Sequence, residues 1–345
     1  MGNKIITFGE IMLRLKSPEH QRLFQSPMLE ATFGGGEANV AVSLSILGEK
    51  ASFVSALPDN SIGDAAIREL MKYGVDTSYI KREKGRMGIY FLERGANQRP
   101  SNVVYDRDNT CISQVKPDDF DWEKIFSDAK WFHITGITPA LSQSTADTSL
   151  TAVQEAKKHN CSVSIDLNYR KKLWNYGKKP TEVMSKLASH ADIIIANEED
   201  IQKCLGIEVE GIDVTSGSLN YDAYKTLGQK VLSTYPNIKY LAITLRESHS
   251  ADYNSWSSVL ISSKGMTISR KYEITNIVDR VGGGDSFSAG LIYALNNFGD
   301  DTEKIINFAT AASALKHSIY GDFNLTKLSE IDTLMKGDGS GRVQR

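Results

Sequence analysis

Cysteine and long apolar runs are both scarce in this sequence. The three cysteines, Cys111, Cys161 and Cys204, are widely spaced, and none belongs to a CxxC motif or a Cys/His cluster. This spacing argues against a disulfide framework and against a zinc site. No apolar stretch approaches the roughly 18 residues of a transmembrane helix, and the beginning, MGNKIITFGEIMLRL, lacks a basic region followed by a long apolar core. We therefore expect a cytoplasmic protein with no membrane partner.

An excess of charge of either sign is also absent. Lysine and arginine number 40 against 42 aspartates and glutamates, which gives a formal net charge of −2. Such a balance gives no electrostatic reason to expect nucleic acid as a partner. Internal repeats, low-complexity tracts and linkers rich in proline or serine are missing as well. We expect one compact domain over residues 1–345.

Short apolar runs rich in β-branched residues alternate with helical patterns along the chain. This alternation predicts an α/β fold whose mostly parallel central sheet is covered by helices. One helical pattern begins with Ser61 as its predicted N-cap and ends at Gly74. The predicted strands are 5–8, 51–57, 131–135, 163–167, 192–196, 238–245 and 257–262, and the other predicted helices are 142–159, 198–205, 286–298 and 301–317.

Two regions break the alternation of strands and helices. Residues 11–33 and 88–112 contain extended segments such as GIYFLERG and NVVYDRD, and no helical pattern separates the latter two. They predict a small sheet that leaves the main one and acts as a lid. Because extended edges seek partners, we expect the lid to be the interface of a homo-oligomer. Residues 206–222 predict a surface loop.

A cluster of glycines, Gly282, Gly283 and Gly284, comes just before the helix predicted to start at Ser286. A glycine turn that opens a helix presents unpaired backbone N–H groups at the positive end of the helix dipole, where an anion can approach closely. A tight structural turn has the same form. Asp285 is either an N-cap or the acceptor of a proton from a nucleophilic hydroxyl. Neither GxxxxGK[ST] nor a dinucleotide fingerprint occurs in the chain.

The segment DRVGGGD, from Asp279 to Asp285, resembles the C-terminal signature of the PfkB, or ribokinase-like, family of carbohydrate kinases. In that signature an aspartate, two residues, a glycine, a small residue and a glycine lead to a second aspartate. The upstream stretch FGGGEANVAVSLSILG resembles the N-terminal signature of the same family, and the residues that fit its spacing are Gly34, Gly35, Asn39, Ala41 and Gly48. The order of the elements in between also follows the family, so the resemblance covers essentially the whole chain.

This resemblance implies a ribokinase-like three-layer αβα fold with a small β-sheet lid, and transfer of phosphate from ATP to a sugar hydroxyl. It implies Asp285 as catalytic base and the backbone N–H groups of Gly282 to Asp285 as an anion hole. Because a loose phosphoryl transition state releases the hydroxyl proton late, a carboxylate with an ordinary pKa of about 4 is expected to serve. ATP and Mg²⁺ are the expected cofactors.

The same resemblance implies a nucleotide side of the site. ANEED resembles the NxxE motif of the family, with Asn197 in place and Asp200 where glutamate is usual, and Asp200 is expected to hold Mg²⁺ through water. Thr244 is expected near the phosphates and Asn307 beside the adenine. Arg246 stands where relatives have glycine, and either pairs with a phosphate or faces solvent.

The substrate side carries cations. Arg14 stands where ribokinases have an aspartate, and Arg107 and Arg170 lie in VVYDRD and IDLNYRKKLW, accompanied by Tyr90 and Tyr105. A planar guanidinium binds a carboxylate through two hydrogen bonds, so this set favours a sugar acid over a neutral sugar. The set is similar to the substrate site of the 2-keto-3-deoxygluconate kinases.

GITPALS and KHSIYGDFN also resemble those kinases, which implies that Gly34, Gly35 and Asn39 lie beside the substrate and that Asp322 lies at the active-site end of the last helix. The expected reaction is ATP plus 2-dehydro-3-deoxy-D-gluconate giving the 6-phosphate and ADP. Other substrates remain open: fructose, ribose, or another keto-sugar acid such as the galactonate epimer. A catalytically silent sugar-binding regulator is the alternative from another class. A dinucleotide-dependent oxidoreductase is disfavoured because the first strand leads to no fingerprint.

Overall fold

The computed structural model describes residues 2–209, 220–337 and 339. The surface loop predicted over 206–222 lies for the most part outside these residues. The described strands are β1 (Lys4–Phe8), β2 (Met12–Lys16), β3 (Glu30–Gly34), β4 (Lys50–Pro58), β5 (Ile80–Glu83), β6 (Ile89–Glu93), β7 (Asn102–Asp106), β8 (Ala129–Thr135), β9 (Ser162–Asp166), β10 (Ile193–Ala196), β11 (Tyr240–Ser248), β12 (Asn254–Ser262), β13 (Gly265–Ile268) and β14 (Tyr272–Ile274).

The described helices alternate with these strands. They are α1 (Gly36–Ile46), α2 (Ser61–Lys72), α3 (Trp122–Phe126), α4 (Gln143–Lys158), α5 (Pro180–Ala188), α6 (Glu198–Leu205), α7 (Tyr221–Thr234), α8 (Gly283–Asn297), α9 (Thr302–Lys316) and α10 (Leu328–Met335), with short 3₁₀ turns at Ile112–Gln114, Pro117–Asp119 and Thr138–Ala140. Within the described residues, no helix has the length and apolar character needed to cross a membrane.

The larger sheet has the order β13-β12-β11-β10-β9-β8-β1-β4-β5, and β14 pairs with β12. From β11 to β5 all neighbouring strands are parallel, whereas β12 is antiparallel to β11, β13 and β14. The strands predicted from the sequence lie in this sheet, in agreement with the predicted mostly parallel fold. The shorter strands β5, β13 and β14 were not predicted.

Helices cover both faces of this sheet. Successive strand residues point to opposite faces. Ile5 belongs to the hydrophobic cluster that includes α1, α2, α8, α9 and α10, whereas Ile6 belongs to the cluster that includes α3 to α7. The continuous run of isoleucines in β10 is buried from both sides, as expected for a central parallel strand. The predicted three-layer αβα architecture is confirmed.

A separate four-stranded sheet of order β3-β2-β6-β7 forms the lid. The strands β2 and β6 are parallel, and the two edge strands are antiparallel to them. Its strands fall within 11–33 and 88–112, where extended segments were predicted, except that β3 ends one residue later, at Gly34. One face of the lid carries Arg14 and Tyr90, which lie opposite each other and are both buried.

Two predicted helix starts need correction. The N-cap of α2 is Asn60, not Ser61, because the Asn60 side chain accepts hydrogen bonds from the N–H groups of Ile62 (3.0 Å) and Gly63 (3.1 Å). The helix α8 begins at Gly283, not at Ser286. The glycine cluster is therefore part of the first turn of α8, and this change decides which backbone N–H groups are free.

Candidate active site

The start of α8 is the centre of the site. Its N-cap, Gly282, has the left-handed backbone φ of 84°, and a Cβ there would lie 2.0 Å from the carbonyl oxygen of Asp322. Only glycine fits such a position. No side chain in the described part of the chain caps this helix, and Gly284 is exposed with open space beside it. The first turn thus presents bare backbone at the positive end of the dipole, where an anion is stabilised.

Fewer backbone N–H groups are free to bind an anion than the resemblance implied. The N–H of Gly283 already donates to the carbonyl of Arg280 at 3.2 Å. Residues of the first helical turn have no partner four residues earlier within the helix. Among the described residues, the N–H groups of Gly282, Gly284 and Asp285 have no recorded acceptor, so these three are left for an anion.

Asp285 occupies the third position of α8 and is tied to α1. The Nδ2 of Asn39 donates to its Oδ2 at 2.6 Å, and the Oδ1 of Asn39 accepts from the N–H of Gly35 at 3.2 Å. Both glycine-rich signatures thus meet in one contact. Burial raises the pKa of Asp285 to about 6, against the hydrogen bond from Asn39 and the nearby charge of Arg170, which lower it. The expected pKa of about 4 is corrected upward.

Cations surround this helix start. Burial lowers the pKa of Arg280, and the positive charge of Arg246 lowers it further, so the two guanidinium groups repel each other. Arg280 donates to the carbonyl of Ala251, and Arg246 is exposed. Two neighbouring cations at a helix N-terminus favour an anion with several oxygens, such as a polyphosphate.

Asn197 and Asp200 cap α6. The Oδ1 of Asn197 accepts from the N–H of Asp200 at 2.8 Å, while the Asp200 carboxylate accepts from the N–H groups of Asn197 (3.2 Å) and Tyr169 (3.0 Å). Both residues lie after β10, at the sheet edge where ligands collect in such folds. Because Asp200 is 6% exposed and already bonded to two donors, it suits a water-mediated role better than direct ligation.

Asp166, at the end of β9, was not singled out from the sequence. Burial, together with the carboxylates of Asp200 and Asp285, raises its pKa well above the ordinary value, and the Oγ of Ser288 donates to it at 3.4 Å. The carboxylates of Asp166, Asp200 and Asp285 are thus neighbours. Among the residues that the structure describes, however, no group of three or more histidine, cysteine or acidic side chains is arranged to hold a metal ion directly. Mg²⁺ held through water is compatible with both findings.

The two remaining nucleotide-side residues, Thr244 and Asn307, lie on β11 and α9. Thr244 is half-buried in β11 opposite Ser258 of β12, two residues before Arg246. Asn307 is 9% exposed, and its Oδ1 accepts from the N–H of Arg270 at 2.8 Å. This bond holds the segment after β13 against α9. The predicted contact of Asn307 with adenine stays a prediction.

Arg14 does not present a free cation. Its side chain is almost fully buried, and its guanidinium donates to Asp322 (2.6 Å) and to Asp279. Burial lowers the pKa of Arg14, but Asp322, Tyr90 and Asp279 together raise it above the usual range, so the charge is retained. Arg14 therefore ties β2 of the lid to Asp279, before α8, and to Asp322, after α9. Its predicted place among the substrate-binding residues stays a prediction.

Asp322 receives a second donor from the lid. The hydroxyl of Tyr90 donates to the same oxygen as Arg14, at 2.5 Å. The other oxygen lies against Gly34, where a Cβ would come within 2.0 Å of it. Gly34 is thus required for the approach of Asp322. A Cβ on Gly35 would likewise lie 2.0 Å from the carbonyl oxygen of Glu10.

The two other arginines differ from each other. Arg107 is 8% exposed, pairs with the buried Glu10 and lies over the ring of Tyr105, 5.3 Å from its centroid. Its Nε is buried without a partner in the described part of the chain. Arg170, in contrast, is exposed, and its hydrogen bond in the structure goes to the backbone carbonyl of Tyr169 at 2.9 Å. Of the three predicted cations, Arg170 is the one that no described carboxylate neutralises by contact.

Several site residues escaped the sequence analysis or were left open there. Glu10 and Asp279 pair with Arg107 and Arg14. Glu10 directly follows the first strand in FGE, which was a usable signal because strand ends carry ligands in this class of fold. Asp166 opens the segment DLNYR that supplied Arg170. The partners of Asp322, Arg14 and Tyr90, lie far from it in the sequence, so no local pattern could predict these contacts.

Comparisons with known proteins agree with this geometry. Residues 3–324 match the pfkB family of carbohydrate kinases. A 2-dehydro-3-deoxygalactonokinase of Haloferax volcanii is 30% identical over 99% of each chain. The crystal structure of a 2-dehydro-3-deoxygluconokinase from Thermotoga maritima has a TM-score of 0.91 at 48% identity, covering 97% of this chain and 99% of that one.

A third match is the crystal structure of a putative 2-keto-3-deoxygluconate kinase from Enterococcus faecalis, with a TM-score of 0.88 at 28% identity and 99% coverage of both chains. The family match spans both glycine signatures, the lid and the Asn39–Asp285 contact. From the agreement of motif, fold and site, this chain is a member of the pfkB family of carbohydrate kinases.

Proposed function

We propose that this protein phosphorylates 2-dehydro-3-deoxy-D-gluconate at its 6-hydroxyl group, with ATP as phosphate donor. The observation that carries the proposal is the contact of Asn39 with Asp285 at the bare N-terminus of α8. It brings a carboxylate with a raised pKa next to backbone donors for an anion. A proton acceptor and an anion site side by side are what phosphoryl transfer to a hydroxyl needs.

Asp285 would act as the base. At neutral pH a carboxylate with a pKa of about 6 is mostly ionised, and it accepts the proton of the sugar hydroxyl as the hydroxyl oxygen bonds to the γ-phosphorus. The bond from that phosphorus to the β,γ-bridging oxygen breaks, and ADP leaves with the electron pair. Asn39 holds the carboxylate in its orientation. Such a base contributes about 10²–10⁴ in rate.

Charge stabilisation would come from the helix start and its cations. The free N–H groups at the start of α8 would face the transferred group. Arg280, which precedes this start, and its neighbour Arg246 would add positive charge. Bound Mg²⁺ neutralises phosphate charge in such reactions. Asp200 and Asp166 would hold its water ligands, since both are buried carboxylates with raised pKa values that a nearby cation relieves.

The substrate carboxylate would meet Arg170, because its guanidinium is exposed and its recorded hydrogen bond goes to a backbone carbonyl. Sugar hydroxyls would meet Tyr90, Tyr105 and Asp322, which lie along the lid side. The names of relatives support a sugar acid: gluconate for the Thermotoga maritima protein and galactonate for the Haloferax volcanii protein. The galactonate epimer is therefore the second candidate substrate.

A homo-oligomer formed through the outer face of the lid is also part of the proposal. Val104 on the edge strand β7 is 47% exposed, and Phe24 beside the lid is 71% exposed. Apolar side chains exposed together mark an interaction surface. A cytoplasmic location and the absence of a nucleic-acid partner stay predictions.

The test is a panel of acceptors assayed for ADP release with ATP and Mg²⁺. We expect the highest kcat/KM for 2-dehydro-3-deoxy-D-gluconate, then its galactonate epimer and 5-dehydro-2-deoxy-D-gluconate, with fructose and ribose far lower. Asp285→Asn should abolish most of the turnover while binding of the sugar acid persists. A neutral sugar as best acceptor, or near-full turnover by Asp285→Asn, would contradict the proposal.

A further inference from the structure

Lys316 is a fully buried lysine at the end of α9, and the mechanism above gives it no role. Its side chain is 0% exposed, although lysine is almost never fully buried in folded proteins. The ammonium donates to the backbone carbonyls of Asp279 at 3.4 Å and Ile319 at 3.0 Å. Both hydrogen bonds that the structure records for Nζ therefore go to main-chain oxygen atoms.

These two carbonyls belong to the segments that build the anion site. Asp279 precedes the N-cap Gly282, and Ile319 precedes Asp322, whose carbonyl oxygen packs against Gly282. The two segments also contact each other, because the N–H of Gly321 donates to the side chain of Asp279 at 3.2 Å. The ammonium thus lies where it can hold both segments, and with them the free N–H groups of α8, in place.

Charges of both signs surround Lys316. Two buried cations, Arg14 and Lys316, accompany two buried carboxylates, Asp279 and Asp322. Burial lowers the pKa of Lys316, while Asp279, Asp322 and Asp285 act against the loss of its proton and Arg14 favours that loss. Without the ammonium, a negative charge would remain uncompensated beside the place where a phosphate must arrive.

Backbone carbonyl oxygens are also the groups with which proteins replace the hydration shell of K⁺. Here two segments of the chain supply carbonyl oxygens to one monovalent cation, as in a K⁺ site. The cation, however, is the ammonium of Lys316, which is covalently attached to α9. We propose that Lys316 is a built-in monovalent cation that positions the anion site, so that turnover needs no dissolved alkali cation. This inference rests on the proposed phosphoryl transfer, and Lys316 acts in it as a positioning residue.

The first test uses the native protein. Turnover with its best acceptor is measured in chlorides of K⁺, Na⁺ and tetramethylammonium at constant ionic strength. We expect the same kcat and the same KM for ATP in all three, because the site is already filled. An activation by K⁺ over tetramethylammonium would overturn the inference, and this outcome depends on no variant folding correctly.

The second test removes the ammonium with Lys316→Ala. We expect kcat to fall about 10- to 100-fold, as for the loss of other groups that orient a reacting centre. K⁺, NH₄⁺ or methylammonium should restore part of the activity, whereas tetramethylammonium should not because it is too large. The control is Lys304→Ala, which removes an exposed lysine from the same helix and should change neither kcat nor its cation dependence.

A third measurement needs no substrate. The Tm of Lys316→Ala should rise with K⁺ or NH₄⁺ relative to tetramethylammonium, whereas the Tm of the native protein should not respond. If Lys316→Ala is folded but neither its Tm nor its kcat responds to the cation, Lys316 has only a structural role and the inference is wrong. Because Tm is independent of turnover, failure here is separate from failure of the proposed kinase activity.

Discussion

At the scale of single residues, the hydrogen bond from Asn39 modulates the pKa of Asp285. Burial raises this pKa to about 6, and the Asn39 amide, which stabilises the ionised form, holds it down. A base must be deprotonated, so kcat/KM of the native protein should fall as the pH drops below about 6. In Asn39→Ala the acid limb should shift to higher pH.

The measurement is the pH dependence of kcat/KM for the native protein and Asn39→Ala. Asn296→Ala is the matched control, because Asn296 donates its amide to the backbone carbonyl of Ile292 within α8. An acid limb that stays in place in Asn39→Ala would contradict the role of Asn39 in tuning the base. A limb that disappears in both proteins would contradict Asp285 as the titrating group.

Arg170 should decide acceptor selectivity. A hydrogen bond to a charged group contributes about 1.5–3 kcal/mol, so Arg170→Ala should lower kcat/KM for the sugar acid about 10- to 100-fold. A neutral ketose has no carboxylate for Arg170 to bind, so its kcat/KM should change much less. The adjacent exposed cation, Lys171, gives the control Lys171→Ala. Equal losses for acid and ketose would mean that Arg170 serves the phosphates instead.

At the scale of elements, the outer face of the lid predicts self-association. The face opposite Arg14 and Tyr90 carries Phe91, next to Val104 on β7, and Phe24 lies 6.2 Å from Phe91 between ring centroids. We expect a dimer or larger assembly by sedimentation or light scattering, and a monomer for Val104→Glu. Ile62→Glu replaces another exposed apolar residue, on α2, and should keep the assembly. A monomeric native protein would refute this interface.

Most strands of the central sheet, and five of the ten described helices, could be predicted from local patterns. The strands of the central sheet and the helices α4, α6 and α9 follow from runs and periods of apolar residues, which act over a few neighbouring positions. The start of α8 could not, because Gly282 caps it in a left-handed conformation set by its contact with Asp322. A motif gives the identity of such glycines but not the hydrogen bonds of their N–H groups.

The partners of the site arginines were beyond local prediction for a related reason. Arg14 bonds to residues 265 and 308 positions away in the sequence. The cationic set was visible in the sequence, but the carboxylates that neutralise Arg14 and Arg107 are brought in by other elements. Only the folded chain distinguishes Arg170, which remains exposed, from Arg14 and Arg107, which are paired with carboxylates.

At the scale of the whole molecule, a buried carboxylate in α1 should make stability depend on pH. Glu37 is 1% exposed, and its Oε1 accepts from the Thr135 N–H (2.9 Å) and from the hydroxyls of Thr135 and Thr138 (2.8 Å each). These bonds join α1 to the end of β8. Burial nevertheless dominates and raises the pKa of Glu37 from 4.5 to about 7.

The direction of the effect follows from proton linkage. The folded protein binds a proton at Glu37 more tightly than the unfolded chain does, so the stabilisation is complete below pH 4.5 and is lost as the pH rises through about 7. In Glu37→Gln the side chain keeps an oxygen for the same three donors and no longer titrates. The free energy of unfolding of this variant, relative to the native protein, should therefore rise between these pH values.

The shift in the pKa of Glu37 limits the change in the free energy of unfolding to roughly 3 kcal/mol, because one pKa unit corresponds to about 1.4 kcal/mol. Urea unfolding of both proteins at several pH values measures it directly. Glu303→Gln on the exposed side of α9 is the control and should follow the native curve at every pH. Parallel curves for Glu37→Gln and the native protein would mean that Glu37 has the same pKa in the folded and the unfolded chain, because its three donors offset the effect of burial.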